Sequence, residues 1–127
     1  MDKEVVVAQS APAAIGPYSQ GIRYGNLLFL SGQIPLDPAT GQMVEGGTGE
    51  QTQRVLQNLH AVLAAVGGTL GNVVKTTVFL KRLDDFAEMN QVYGTFFVEK
   101  PPARSTVEVS SLPRGALVEI EAIAVVP

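Results

Sequence analysis

Apolar and polar residues alternate in some parts of the chain and recur every three to four positions in others, which predicts strands and helices respectively. Six segments have the composition of strands: Val5 to Val7, Gln20 to Tyr24, Leu27 to Ser31, Asn72 to Lys81, Arg104 to Ser110 and Leu117 to Val126. Two segments with helical spacing lie among them, so the predicted order is β-β-β-α-β-α-β-β. We therefore expect one α+β domain over residues 1–127, with a mixed sheet and both helices on one face.

Both predicted helices have start signals. Thr48-Gly49-Glu50-Gln51 and Asp85-Phe86-Ala87-Glu88 have the spacing of capping boxes, and Gly67-Gly68 end the first helix. The apolar face of the first helix comprises Val55, Leu56, Leu59, Val62, Leu63 and Val66, and that of the second comprises Phe86, Met89, Tyr93, Phe96 and Phe97. An aromatic stripe at this spacing is typical of core packing, so we assign it to the core rather than to a ligand site.

Two connections carry further information. Gly25-Asn26 predicts a two-residue hairpin turn between the second and third strands. The stretch from Gly32 to Gly49 is rich in glycine and proline. A connection of this length in a small domain is often functional or acts as a lid.

The last strand has two chemically different faces. Alternation places Glu119 and Glu121 on one side, together with Leu117, Ile123 and Val125. The other side is wholly apolar and should pack against the helices: Ala116, Val118, Ile120, Ala122, Ala124 and Val126. Because two helices cover only one side of the sheet, we expect the mixed side to meet copies of the chain in a closed homo-oligomer. Glu119 would then be partly buried, with a protonation sensitive to its surroundings; the alternative is a solvent-facing carboxylate.

Pro101-Pro102 lie just ahead of a single arginine, Arg104, at the start of a β-prone run. The prolines restrict the backbone there, and the guanidinium is a permanently charged planar fork that matches a carboxylate. Arg104 is therefore a candidate anchor for a small carboxylate, and the alternative is an edge-strand arginine that faces water. It shares one face of its strand with Thr106, Glu108 and Ser110, and we expect that face also to lie on the uncovered side of the sheet and to meet another subunit.

Composition narrows the function classes. The net charge is −3, and the nine Lys and Arg residues are scattered, which disfavours a nucleic-acid partner because phosphate binding needs clustered cations. The chain has no cysteine and one histidine, His60, which we take as structural or at the surface, so we expect no metal site and no cofactor. The hydrophobic runs fall far short of the ~20 residues of a membrane-spanning helix, and the first residues lack a secretion signal. We expect a cytoplasmic protein with no membrane partner.

Five short motifs follow one another along the chain: Ala13 to Gln20 (AAIGPYSQ), Ser31 to Pro35 (SGQIP), Val74 to Val78 (VKTTV), Pro102 to Ser105 (PARS) and Glu119 to Ala124 (EIEAIA). Together, in this order and over nearly the whole chain, they resemble the reactive intermediate deaminase A (RidA, or YjgF) family. The resemblance implies a chorismate-mutase-like α+β fold, assembled as a homotrimer with sites at the subunit interfaces.

The resemblance also implies an activity and the residues that carry it. The activity is hydrolysis of 2-imino acids such as 2-iminopropanoate and 2-iminobutanoate, released by pyridoxal-phosphate dehydratases, to 2-keto acids and ammonia. Arg104 would bind the substrate carboxylate, and Glu119 would position or activate the attacking water. Four further residues match positions that line the site or form the loop that covers it: Tyr18, Asn90, Ser31 and Gly32.

Thr106 departs from the family pattern, because many members carry a cysteine there. The change removes a possible thiol ligand, while the backbone N–H groups at Thr106 stay available to a substrate. Since water is the nucleophile of the implied reaction, the change should not abolish hydrolysis.

Other functions remain open at this point. A non-catalytic regulator that binds 2-keto acids would use the same residues. An endoribonuclease or translation inhibitor, also reported in this family, is disfavoured by the acidic charge and the lone histidine. A holdase-type chaperone is neither supported nor excluded.

Overall fold

The predicted order of elements is confirmed by a computed structural model, which describes residues 2–127. Its strands and helices are β1 (Glu4–Val6), β2 (Gly21–Tyr24), β3 (Leu27–Gln33), α1 (Thr48–Ala64), β4 (Val73–Leu80), α2 (Phe86–Phe96), β5 (Ala103–Glu108) and β6 (Val118–Val125). The largest differences from the predicted bounds are at the ends of strands, where β3 extends through Gln33 and β5 ends at Glu108 rather than Ser110.

The six strands form one mixed sheet in the order β1-β2-β3-β6-β4-β5. Neighbouring strands are antiparallel except β4 and β5, which are parallel. A parallel pair needs a crossover connection, and α2 provides it. β5 is therefore an edge strand that lies beside the helix leading into it.

Both helices pack on one face of the sheet, so the predicted α+β class is confirmed. The apolar side of the last strand is buried as expected: Ala116, Val118, Ile120, Ala122, Ala124 and Val126. The opposite face of the sheet has no covering layer, and its large side chains Phe29, Val107 and Val125 remain exposed. We call this surface the open face.

The start of α1 differs from the predicted capping box by one residue. The helix begins after Gly47, and the carboxylate of Glu50 accepts a hydrogen bond from the Gly47 N–H at 2.8 Å. Gln51, predicted to be the capping side chain, is buried and accepts from the Leu117 N–H at 2.8 Å. The prediction is wrong because Gln51 finds a partner in the segment leading into β6, which the local pattern does not reveal.

The second predicted capping box is also wrong, since the side chain of Asp85 makes no cap hydrogen bond to α2. Asp85 instead accepts from the hydroxyl of Thr48 at 2.9 Å, and Glu88 accepts from the N–H of Gly49 at 2.8 Å. The first N–H groups of a helix lack partners within the helix. Glu88 of α2 therefore satisfies one of these N–H groups at the start of α1, and Asp85 holds the side chain of Thr48 there.

The connection from β3 to α1 is held by an internal β-bridge and by hydrogen bonds to α1. Leu36 and Met43 form an isolated antiparallel bridge, and the fully buried side chain of Asn58 donates to the carbonyls of Ile34 and Leu36 at 3.3 and 3.0 Å. These contacts attach the connection to α1. Among residues 2–127 no helix is long and apolar enough to cross a membrane.

Glu88→Ala should lower the free energy of unfolding by about 0.5–2 kcal/mol, the usual cost of losing a helix cap. The loss arises because the Gly49 N–H would have no protein acceptor. Urea unfolding at one fixed protein concentration measures it. The exposed Glu99, which lies outside both helices, provides the control Glu99→Ala, with an expected change within about 0.5 kcal/mol. Equal effects of the two substitutions would contradict a capping role for Glu88.

Candidate functional site

Arg104 lies on the helix side of the edge strand β5, opposite Thr76 of β4. Its Nη1 donates a hydrogen bond to Oδ1 of Asn90 on α2 at 2.7 Å. Its guanidinium carbon lies 4.8 Å from the ring centroid of Tyr93 and 5.4 Å from that of Phe86. These are cation–π distances. The guanidinium is therefore held by a hydrogen bond and by two aromatic rings of the same helix.

The ring of Tyr93 is itself fixed by its neighbours. Its hydroxyl lies 2.7 Å from Oγ1 of the buried Thr76, and its ring centroid lies 4.6 Å from that of Phe97. Burial raises the pKa of the Tyr93 hydroxyl, and this effect outweighs the opposing influences of the Thr76 hydrogen bond and the Arg104 charge. Tyr93 thus presents an uncharged aromatic ring in a fixed position against the Arg104 guanidinium.

Arg104 lines a cleft of about 430 Å³ between α2 and the segment that precedes β5. Its walls are Asn90, Tyr93, Gly94, Phe97, Pro101, Pro102 and Arg104. No acidic side chain lines this cleft, and within residues 2–127 the salt bridge formed is between Arg82 and Asp85, at 3.2 Å. The charge of Arg104 is therefore not neutralised by a carboxylate of its own chain.

Sequence reasoning assigned the aromatic stripe of α2 to the core and so missed its second role. Tyr93 is buried, but Phe86 is 38% exposed and lies against Arg104. Phe86, Asn90 and Tyr93 are spaced i, i+4 and i+7, which places them on one helix face. A polar residue within an aromatic stripe was the signal available in the sequence.

Glu119 lies on the open face, opposite Phe79 of β4. Next to it, β3 contains a bulge: Leu30 pairs with Ala122 but Gln33 pairs with Ile120, so β3 has one extra residue there. Gly32 is within this bulge, and a Cβ on Gly32 would overlap the carboxylate of Glu119 and lie 3.0 Å from its Cδ. The absence of a side chain at residue 32 leaves the space that the Glu119 carboxylate occupies.

The carboxyl group of Glu119 has a raised pKa. Burial is the main cause, and the negative charge of Glu121 on the same strand face adds to it. Both effects disfavour the ionised form. Glu119 therefore loses its proton at a higher pH than an ordinary glutamate does.

Two other predicted site residues lie close to Gly32. Tyr18 is 54% exposed and lines, together with Gly32, a cavity of about 360 Å³. The hydroxyl of Ser31 donates to the carbonyl of Ser19 at 2.5 Å, which links β3 to the segment carrying Tyr18. The expectation that Ser31 and Gly32 belong to a covering loop is wrong, because both residues lie within β3.

Gln20 is a residue that sequence reasoning did not single out. Its buried side chain accepts from the Ala8 N–H at 2.7 Å and donates to the carbonyls of Ala8 and Pro12 at 3.0 and 2.8 Å. It thereby fixes the first part of the irregular segment before Tyr18, from Ala8 to Pro12. A glutamine beside a Pro- and Gly-rich segment was a weak signal for this.

The candidate residues form two groups on opposite sides of one sheet. The register places Arg104 and Thr106 opposite Thr76 and Val78, whose side chains are buried under the helices, whereas Glu119 lies on the open face. The expectation that Arg104 and Thr106 share one strand face is confirmed. The expectation that this face belongs with the uncovered side of the sheet is wrong, because β5 is an edge strand with polar residues on both faces, so its alternation does not say which face turns toward the helices.

Metal ligands do not gather at either group. Nowhere in the described part of the chain do three or more His, Cys, Asp or Glu side chains come together as a metal ion would require. His60 is exposed on α1 and lines a different cleft, with Gln57, Leu70 and Phe96.

Comparison with known proteins gives a consistent set of relatives. Residues 8–126 match the family described as Endoribonuclease L-PSP. A RutC family protein of Pyrococcus abyssi is 55% identical over 98% of both chains. The 2-iminobutanoate/2-iminopropanoate deaminase of Mus musculus is 48% identical over 97% of this chain and 91% of its own. The crystal structure of E. coli TdcF with bound serine is 42% identical and superposes with a TM-score of 0.93, covering 98% of this chain and 99% of that one.

Glu119→Gln should stabilise the protein more at pH 7 than at pH 4. With a raised native pKa, the contribution of Glu119 to stability is complete below the ordinary value of 4.5 and is lost as the pH rises through the native pKa. Glutamine stays uncharged and avoids this loss. Urea midpoints of both proteins at the two pH values measure the difference.

A matched control is Glu121→Gln, which keeps Glu119 and removes the charge beside it. Without the charge of Glu121 the pKa of Glu119 would fall. Glu121→Gln should therefore regain part of the free energy of unfolding that wild type loses at pH 7. The same difference between wild type and Glu119→Gln at both pH values would contradict a raised pKa.

Proposed function

We propose that this chain, which belongs to the endoribonuclease L-PSP family, hydrolyses 2-imino acids such as 2-iminopropanoate and 2-iminobutanoate to 2-keto acids and ammonia. Membership of this family agrees with the resemblance to the RidA family that the five sequence motifs show. The deaminase name of the mouse relative supports the activity. The observation that carries the proposal is the guanidinium of Arg104, held in an open cleft without a carboxylate partner.

Arg104 would bind the carboxylate that every 2-imino acid carries. One of its N–H groups is already engaged by Asn90, and an arginine has five N–H donors, so several remain for a ligand. Charge-assisted hydrogen bonds from a guanidinium to a carboxylate are among the stronger ones in proteins. The serine bound to E. coli TdcF also has a carboxylate beside an amino-bearing carbon, which supports this class of ligand.

Glu119 would act as the general base. A base works best when its pKa lies near the working pH, and burial raises the pKa of Glu119 in that direction. The Gly32 bulge holds space for its carboxylate. A water molecule beside that carboxylate would be activated for attack.

The proposed reaction has two steps that balance in atoms and charge. In the first, Glu119 takes a proton from water while the oxygen bonds to C2 of the protonated imine, and the C=N bond becomes a single bond. In the second, Glu119 returns the proton to the nitrogen, the C–N bond breaks to release ammonia, and the hydroxyl proton passes to that ammonia as the carbonyl forms. The products are a 2-keto acid and an ammonium ion.

The two groups of candidate residues would meet only when chains assemble. Arg104 and Glu119 lie on opposite sides of the same sheet, so one chain cannot present both to one small substrate. We propose a homotrimer in which the edge strand β5 of one copy lies against the open face of the next. Each site would then combine two sets of residues: Arg104, Asn90 and Thr106 from one copy, and Glu119, Gly32, Ser31 and Tyr18 from its neighbour.

Two other functions are weaker readings of the same molecule. A binding protein for 2-keto acids would need Arg104 but not a base with a raised pKa. An endoribonuclease, the activity in the family description, would need cations for phosphates, but the net charge is −3 and His60 lines a different cleft.

Arg104→Ala should lower kcat/KM for 2-iminobutanoate by at least roughly 30-fold, the equivalent of about 2 kcal/mol for a lost charged anchor. Glu119→Gln should instead lower kcat by roughly 10²–10⁴-fold, the usual contribution of a general base. Ammonia release is measured while an amino-acid dehydratase generates the imine. Arg82→Ala, at a surface arginine outside the cleft, serves as the control and should behave as wild type.

The wild-type protein in the same assay also distinguishes an enzyme from a binding protein. For wild type, a rate of ammonia release no faster than in buffer would overturn the catalytic proposal. Retained binding of 2-oxobutanoate with no turnover would then favour the regulator.

Mixing the two inactive variants should restore activity if each site uses two chains. When equal amounts of Arg104→Ala and Glu119→Gln are unfolded together and refolded, about one quarter of the sites in random trimers would combine an intact Arg104 with an intact Glu119. Specific activity should therefore approach about one quarter of the wild-type value. Each variant refolded alone is the control. A mixture as inactive as its parts, in particles that light scattering shows to be trimers, would contradict the shared site.

A further inference from the structure

We propose that Gly94 determines which substrates fit, by leaving the cleft beside Arg104 open to the side chain of a large aliphatic or aromatic 2-imino acid. The inference rests on the proposed function and concerns the same site. Gly94 would act through the space that it leaves beside Arg104.

Gly94 belongs to the helix face that forms one wall of the cleft. Asn90, Tyr93, Gly94 and Phe97 are spaced i, i+3, i+4 and i+7 along α2 and its last turn, and all four line the cleft with Arg104. The three other residues contribute large or polar side chains to this wall. Gly94 is the position where the wall has no side chain.

The helix itself has no need of a glycine at this point. Gly94 lies in the interior of α2 and is not among the residues with positive φ. A glycine in a helix interior costs roughly 0.5–1 kcal/mol relative to alanine. A Cβ placed on Gly94 would meet no atom within 4 Å, so close packing does not require the glycine either. What the missing side chain provides is room in the cleft.

The cleft is larger than the two-carbon side chain of 2-iminobutanoate requires. Its volume is about 430 Å³, within the range of pockets that hold whole drug-sized ligands. Beside the α2 residues, Pro101 and Pro102 line it, and so does Phe97. With a carboxylate on Arg104, a substrate side chain that extends along this cleft contacts proline and aromatic carbon atoms and passes Gly94.

The test compares wild type with Gly94→Leu and Gly94→Ala on substrates of different size. 2-Iminobutanoate is generated by a dehydratase, and the imines of leucine and phenylalanine by an amino-acid oxidase with catalase present. Gly94→Leu should keep kcat/KM for 2-iminobutanoate within about threefold of wild type and lower it at least about tenfold for the two larger imines, since steric discrimination in apolar pockets is typically 10–200-fold. Gly94→Ala adds one carbon and favours the helix. For the two larger imines its kcat/KM should lie between the values for wild type and for Gly94→Leu.

A binding measurement tests the inference without turnover. Calorimetry with phenylpyruvate, 4-methyl-2-oxopentanoate and 2-oxobutanoate should show that Gly94→Leu weakens the first two selectively. If no imine is hydrolysed, the proposed function fails while this measurement still decides the role of Gly94. Failure of wild type to bind the larger keto acids, or an equal loss for all three in a folded Gly94→Leu protein, would overturn the inference.

Discussion

The parallel pairing of β5 with β4 is the constraint on which the site depends. Two adjacent parallel strands need a crossover, and here α2 is that crossover. The helix must therefore lie beside the edge strand, where its Asn90 and Tyr93 meet Arg104. Thr76, opposite Arg104 in the register, fixes Tyr93 from below. The same contacts that bury the core side of α2 thus place a cation at the rim of the sheet.

The second constraint is that only one face of the sheet has helices. The bulge in β3 lies beside Glu119 on the uncovered face, where Gly32 leaves space for a half-buried carboxyl group. A charged strand residue on such a face would normally be solvated, and the raised pKa of Glu119 reflects mainly burial that is already present in one chain. In the proposed assembly, covering this face and completing the site are one event, so substrate binding would depend on the same surfaces that hold the copies together.

Local patterns in the sequence predicted most of the fold because they depend on the chain's own periodicity. The alternating residues of the last strand separate into a buried and an open side as expected, and both helices lie where their apolar spacing placed them. The predicted capping boxes were wrong because their side chains depend on partners elsewhere in the chain. Gln51 and Glu88 have the correct spacing for a cap, yet each bonds to a different element, Leu117 and Gly49 respectively. A hydrogen-bond partner distant in sequence can replace the local one.

By itself, the sequence determined the order of elements, the sharing of one strand face by Arg104 and Thr106, and the candidate chemistry of an arginine and a glutamate. It also placed Glu119 on the side away from the helices, because the other side of that strand is wholly apolar, but it did not determine on which side of the sheet Arg104 lies. Alternation has two equivalent phases, and at an edge strand both sides tolerate polar residues, so nothing local distinguishes them. Only the tertiary structure, through the pairing of Arg104 with Thr76 and of Glu119 with Phe79, decided that they lie on opposite sides.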